Sequence, residues 1–205
     1  MSISNATSEP SHDVGSLLLP RVARTLLDAY VDGAVPAPLA VVGTAGSGKS
    51  RVLRVLFAAL RGAGASPRAI AHASDLDAVD DGAVVLIDDA HLYADELLQN
   101  VATRLREGTL TVLLSTRPDP ASAVLRALLE DIERHQPPLL LGNVSASDVA
   151  ASLGGALSPA TKACVATMLE ATGGLAWLTG EALVLHGDVA CDGRCDHDEI
   201  ARSLY

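Results

Sequence analysis

The chain has 205 residues, 49% of them hydrophobic and 20% charged, with 15 basic against 25 acidic side chains and a formal net charge of −10. That composition excludes a disordered chain, and a chain of this length buries about 70% of its unfolded surface, enough for one core without disulfides. With two lysines (Lys49, Lys162) and five aromatic side chains (Tyr30, Phe57, Tyr93, Trp177, Tyr205), it offers neither a broad phosphate-backbone footprint nor a platform for stacking bases. No direct nucleic-acid binding by this segment is expected.

Residues 1–13 are polar and expected to be flexible, and no basic region followed by an apolar one marks a signal peptide. The longest apolar runs are strand length, so no membrane span is expected. Three cysteines (Cys164, Cys191, Cys195) suit a reducing compartment, and the expected location is cytoplasmic.

Helical spacing of Val22, Leu26, Leu27 and Tyr30 predicts a first helix, which a Gly- and Pro-bearing turn separates from a buried strand at Leu39–Val42. Gly43–Ser50 follows, then a helix to about Arg61, a short strand over 69–72 and a buried strand over 83–87. A helix over 94–107, a strand over 109–116, a helix over 121–135 and a strand over 137–142 complete the alternation. Strands alternating with helices imply a five-stranded parallel sheet with helices on both faces, an α/β fold. Only helices are expected after Asn143: one opened by a Ser145/Asp148 capping box, one from Ser158–Pro159 to Gly173–Gly174, and one over 175–185. The expected organisation is a flexible start (1–13), an α/β domain (14–142), a small helical lid (143–186) and an acidic tail (187–205).

The segment Gly43-Thr44-Ala45-Gly46-Ser47-Gly48-Lys49-Ser50 fits G-x-x-x-x-G-K-[S/T], and it lies between a predicted strand and a predicted helix. Glycines let the backbone curl so that its N–H groups face phosphate oxygens, and the helix N-terminus adds its positive end. Lys49 is expected to reach the β and γ phosphates, the Ser50 hydroxyl to sit on Mg²⁺, and Arg51 to flank the nucleotide. The plainer alternative is a Gly-rich turn with an incidental lysine.

Val84-Val-Leu-Ile-Asp88-Asp89-Ala-His91 ends a buried strand on two carboxylates, at the edge where open α/β sheets bind ligands. Asp88 is the expected metal residue, and Asp89 is placed to orient or deprotonate an attacking water. His91 is the weaker candidate, more in keeping with a surface or capping residue. Asp75, Asp77, Asp80 and Asp81 read as a solvated acidic face, whose charge makes strong Mg²⁺ dependence of nucleotide capture expected. Ser115, Thr116 and Arg117 end the 109–116 strand, where a polar group can sense a γ-phosphate and a guanidinium can balance its charge.

Taken in order, G-T-A-G-S-G-K-S, L-I-D-D-A-H-L, L-L-S-T-R-P, L-L-L-G-N-V-S-A-S-D-V-A-A-S-L and A-T-G-G-L-A-W-L resemble the STAND class of AAA+-related ATPases. The similarity is greatest to the nucleotide-binding domain of large MalT-like LuxR-family transcriptional regulators, over roughly residues 14–186. The resemblance implies an ATP-dependent signalling switch that cycles slowly and self-associates in the ATP state. It implies phosphate binding by Gly43–Ser50, metal binding by Asp88, water activation by Asp89 and γ-phosphate contact by Arg117. Three departures stand out: Ser16 replaces an arginine near the start, Ala176 replaces a proline of the T-G-G-N-P-L element, and the stretch before the Asp-Asp strand is short. The helix-turn-helix of such regulators has no counterpart here, so any DNA-binding domain is expected outside these residues.

Cys191, Cys195 and His197 have spacing compatible with a metal set, against the simpler reading of an acidic end. Trp177 and Leu178 are expected in the lid core. The leading reading is a Mg·ATP switch that hydrolyses slowly. The alternatives are a non-hydrolysing nucleotide-bound interaction module and a small-molecule phosphotransferase, the latter weakened by having only Arg51, Arg54 and Arg117 near the motifs.

Overall fold

In a parallel sheet covered on both faces, successive side chains of a strand enter opposite cores. The computed structural model describes residues 18–32, 37–155 and 157–186, and its strands follow this rule. Val85 and Ile87 of β3 (Ala83–Ile87), with Val112 and Leu114 of β4 (Leu110–Thr116), join one core with helices α4 (Asp95–Arg106) and α5 (Ala123–Glu133). Val84, Leu86 and Leu113 face the other way, where α1 (Arg21–Asp32) and α2 (Lys49–Gly62) pack against β1 (Leu39–Gly43) and β5 (Leu139–Leu141). Each fully buried leucine or isoleucine here contributes about 1.5–3 kcal/mol of transfer free energy.

The five strands run parallel in the order β2-β3-β4-β1-β5, β2 being Arg68–Ala69. Thus β4 lies between the phosphate-loop strand and the paired-aspartate strand. Its register sets Val41 beside Ser115 and Val42 beside Thr116, and on the other side Ile87 beside Leu114. The ends of three strands therefore meet at one point of the sheet edge.

The chain differs from the sequence expectation in four places. The second strand is only Arg68–Ala69, because His72 serves as the N-cap of a short helix α3 (Ala73–Asp77) that periodicity does not reveal. Asp75 is no mere part of a solvated face: its carboxylate accepts the N–H groups of Ala71 and His72 at 2.9 and 2.8 Å, which hold its pKa below the usual range. Asp81 is exposed but pairs with Arg104 at 3.2 Å, and the same guanidinium binds the carbonyls of Leu76, Val79 and Asp80. The last strand shortens to Leu139–Leu141, since Pro137 and Pro138 have no N–H for the ladder.

After β5 come α6 (Ala146–Ser152), α7 (Pro159–Thr172) and α8 (Ala176–His186). Ser145 and Asp148 form a reciprocal capping box, a contribution of roughly 1 kcal/mol. Asp148 also accepts the backbone N–H of Arg21 at 2.8 Å, tying the start of α1 to α6. Gly173 ends α7 at φ 61°, a conformation open to glycine without strain. These helices share small cores around Val149, Leu157 and Val165, and around Cys164, Met168 and Ala182.

Candidate functional site

The chain leaves β1 through Gly43 into the loop Thr44–Gly48 and enters α2 at Lys49. A Cβ on Gly43 would run into Ser47 Oγ and lie 2.8 Å from the Leu141 carbonyl, so the loop's close approach to β5 depends on that glycine. Gly48 caps α2 in the left-handed region at φ 95°. The hydroxyl of Ser47 is buried with no hydrogen-bond partner, as is that of Thr116 at the end of β4. A buried unpaired hydroxyl costs about 1–3 kcal/mol, so both are groups in want of a ligand. Gly43→Ala is expected to lower stability by about 1–3 kcal/mol through overpacking. An unchanged melting temperature would show that the loop has room to give.

Lys49 is 7% exposed, with its Nζ donating to the Thr44 carbonyl at 3.0 Å and standing 3.7 Å from Asp89 Oδ1. Across the gap, Ser115 Oγ donates to Asp88 Oδ1 at 2.5 Å and accepts the Asp89 N–H at 2.8 Å. One hydroxyl of β4 thus holds both aspartates, and Asp89 sits at φ 50°, ψ 51°. Tyr93, nearby, has its phenol pKa raised, first by burial and then by the charges of Asp88, Asp75 and Asp89.

Lys49 and Asp89 open on a cavity of about 600 Å³ lined also by Ala45, Gly46, Gly48, Ser50, Arg51, Arg54 and Arg117 from the α/β part. Leu18 and Leu19 close one side, and Ala176, Trp177 and Glu181 the other. Four cations face two carboxylates in it, so a chain of net charge −10 carries a locally positive cleft. The phosphate-loop residues, Asp89 and Arg117 are thereby brought together, while Asp88, hydrogen-bonded to Ser115, lines a neighbouring cavity. Arg117 and Arg51 are exposed.

Trp177 departs from expectation. It is 57% exposed at the cavity rather than in the core, and its N–H donates to the Gly46 carbonyl at 3.1 Å. That contact docks α8 on the phosphate loop. Arg54, placed near the motifs by sequence, lines the cavity, and Glu181, Leu18 and Leu19 join it from outside any motif. The one available signal was the i, i+4 spacing of Trp177 and Glu181, which puts both on one helix face.

Among the described residues no group of three or more His, Cys, Asp or Glu side chains is arranged to hold a metal. Magnesium does not require one, since it takes one or two protein oxygens and completes its shell with phosphates and water. Ser50 and Asp88 are donors of that kind. Together with the unpartnered Ser47 and Thr116 hydroxyls, the residues present fit a magnesium–nucleotide. Cys191, Cys195, His197 and Ser16 lie outside the described residues.

No protein-family model matches the chain, and no curated protein matches it in sequence. Among solved structures it is similar to domain III of the replication initiation protein DnaA of Thermotoga maritima, with TM-score 0.59 and 15% identity over 96% of each chain. A RuvB variant from the same organism superposes with TM-score 0.54 and 16% identity, over 91% of this chain and 69% of that one. The fold is an α/β fold, a five-stranded parallel sheet with helices, shared with these structures. At these identities the likeness extends to architecture alone. No described helix is long and apolar enough to cross a membrane.

Proposed function

We propose that this chain is a Mg·ATP-binding switch domain that hydrolyses ATP slowly, of the kind the STAND class uses in signal-responsive transcriptional regulators. The observation that carries the reading is the convergence of Lys49, Asp89 and Arg117 on one positive cleft, with Asp88 tied to the Asp89 backbone through Ser115. The N–H groups of residues 44–50 and the Lys49 ammonium bind the triphosphate. Ser50 and Asp88 would hold Mg²⁺, which when bound supplies charge neutralisation at the phosphates. Asp89 orients the water and accepts its proton, and Arg117 balances charge at the γ-phosphate.

A switch needs a moving part that senses the nucleotide. The Trp177 to Gly46 hydrogen bond and the Arg21 to Asp148 hydrogen bond link the C-terminal helices to the phosphate loop and to the wall formed by Leu18 and Leu19. Those helices act as a lid, and nucleotide occupancy biases their position through these contacts. Self-association in the ATP state and an inducer belong to the same proposal.

Trp177 is the chain's single tryptophan and stands in the cavity wall, so its fluorescence reports on the site. Titration with ATP is expected to change Trp177 emission saturably, at least tenfold more tightly with Mg²⁺ than with EDTA at low salt. Equal affinity with and without the metal would contradict the Mg·ATP assignment. Saturable binding with no phosphate release would favour a non-hydrolysing module.

A further inference from the structure

His91 stands in a 3-10 turn, Ala90–Leu92, directly after the paired aspartates. Its side chain is 14% exposed, and both ring nitrogens are buried without a hydrogen-bond partner. A buried imidazole is costly in that condition, so its neighbour matters. The neighbour is Asp89: Oδ1 lies 3.9 Å from His91 Nδ1 and 3.7 Å from Lys49 Nζ, too far for a hydrogen bond with either. The carboxylate thus hangs between two donors.

The Asp89 backbone cannot supply the missing movement. Its N–H is held by Ser115 Oγ and Asp88 Oδ1, and its carbonyl accepts the Leu92 N–H at 2.9 Å. What remains free is the short side chain. A rotation about the side-chain torsions can bring Oδ1 within hydrogen-bond distance of either donor.

We propose that His91 is the positioning residue for Asp89. This rests on the reading of Asp89 as the water-orienting base. Without nucleotide, Lys49 and His91 share the carboxylate. When triphosphate oxygens take Lys49, the carboxylate loses that competitor and accepts a hydrogen bond from His91 Nδ1–H. One oxygen is then fixed by the imidazole, and the other is left to face the water. The imidazole donates a hydrogen bond and transfers no proton, so the balance of the hydrolysis is unaltered.

The test uses the full chain with His91→Phe, which removes the donor and keeps a planar ring, and His91→Asn, whose side-chain amide can donate from near the Nδ1 position. His91→Phe is expected to lower kcat about tenfold to a hundredfold with KM and Mg·ATP affinity within about twofold, and His91→Asn to recover most of the loss. Equal losses in both variants, or a loss confined to KM, would overturn the role. A second measurement on the unaltered chain does not depend on how the variants fold. Addition of a non-hydrolysable Mg·ATP analogue is expected to shift the His91 imidazole nitrogen resonances to those of a hydrogen-bonded Nδ1–H, and to leave them unmoved in Asp89→Asn. Unmoved resonances in a chain that binds and hydrolyses ATP overturn the His91 proposal alone. A chain in which Trp177 detects no nucleotide overturns the proposed function, and the role of His91 with it.

Discussion

Lys49→Ala is expected to weaken nucleotide binding at least about a hundredfold while leaving the fold in place. The loss follows from the position of the ammonium. It is 7% exposed, at the floor of the cavity, and its contacts are a backbone carbonyl and a carboxylate 3.7 Å away, both groups that a triphosphate can outbid. Each charge-assisted hydrogen bond to a phosphate oxygen is worth roughly 1.5–3 kcal/mol, and alanine supplies none. Stability should hardly change, because alanine is the best helix former and Lys49 opens a 14-residue helix. The measurement is the nucleotide released when purified protein is denatured, beside a Trp177 fluorescence titration. Equal occupancy in Lys49→Ala and the parent would remove the phosphate-loop assignment.

Asp89→Asn should separate binding from turnover. Asparagine keeps the volume and tolerates the left-handed backbone at φ 50°, and the Ser115 tether is made by the main-chain N–H, which survives. Only the charge is lost. Turnover is expected to fall about 10²–10⁴-fold, the usual range for removal of a general base. Affinity for Mg·ATP should hold or rise, since Lys49 no longer faces a competing carboxylate in the empty cleft. Single-turnover hydrolysis together with a binding titration distinguishes the two effects. Undiminished turnover would show that Asp89 is not the base, and attention would pass to the other groups on the cavity wall.

Much of the architecture is legible in the residues because its causes are local. The phosphate loop is one continuous segment whose glycines and lysine act through neighbouring backbone, so its pattern survives without knowledge of the fold. The Ser145/Asp148 box and the Ser158–Pro159 start are caps four and two residues long, and both stand where the helices begin. Buried parallel strands announce themselves as apolar runs such as Val84–Ile87. Local chemistry also hides things. Helix α3 is too short and too acidic for periodicity to show, and its reason for existing is the His72–Asp75 cap. The two prolines before β5 trim that strand by sterics that an apolar count ignores.

The parts of the site that depend on long-range pairing were not readable in this way. That β4 lies between β1 and β3 is a matter of sheet order, and from it comes the Ser115 link, which joins residues 26 and 27 positions apart. Trp177 has the composition of a core residue and the position of a wall residue, because α8 docks through its backbone N–H on Gly46. His91 has the sequence position of a surface or capping histidine, and only the turn after Asp89 buries it beside the carboxylate.

Charge illustrates the same division. A net charge of −10 is a property of the chain however it folds. Where the charges go is a property of the fold. Lys49, Arg51, Arg54 and Arg117 come from two separate segments, and only the β4–β1 pairing gathers them around one cleft with two carboxylates. Coulomb interactions fall off with distance and are screened beyond about 10 Å, so a ligand feels that local set rather than the sum. Residue order dictates the alternating elements, the caps and the phosphate loop, since each arises from contacts a few residues apart. The positive cleft, the shared hydroxyl of Ser115 and the suspended carboxylate of Asp89 exist only once strands distant in sequence have paired.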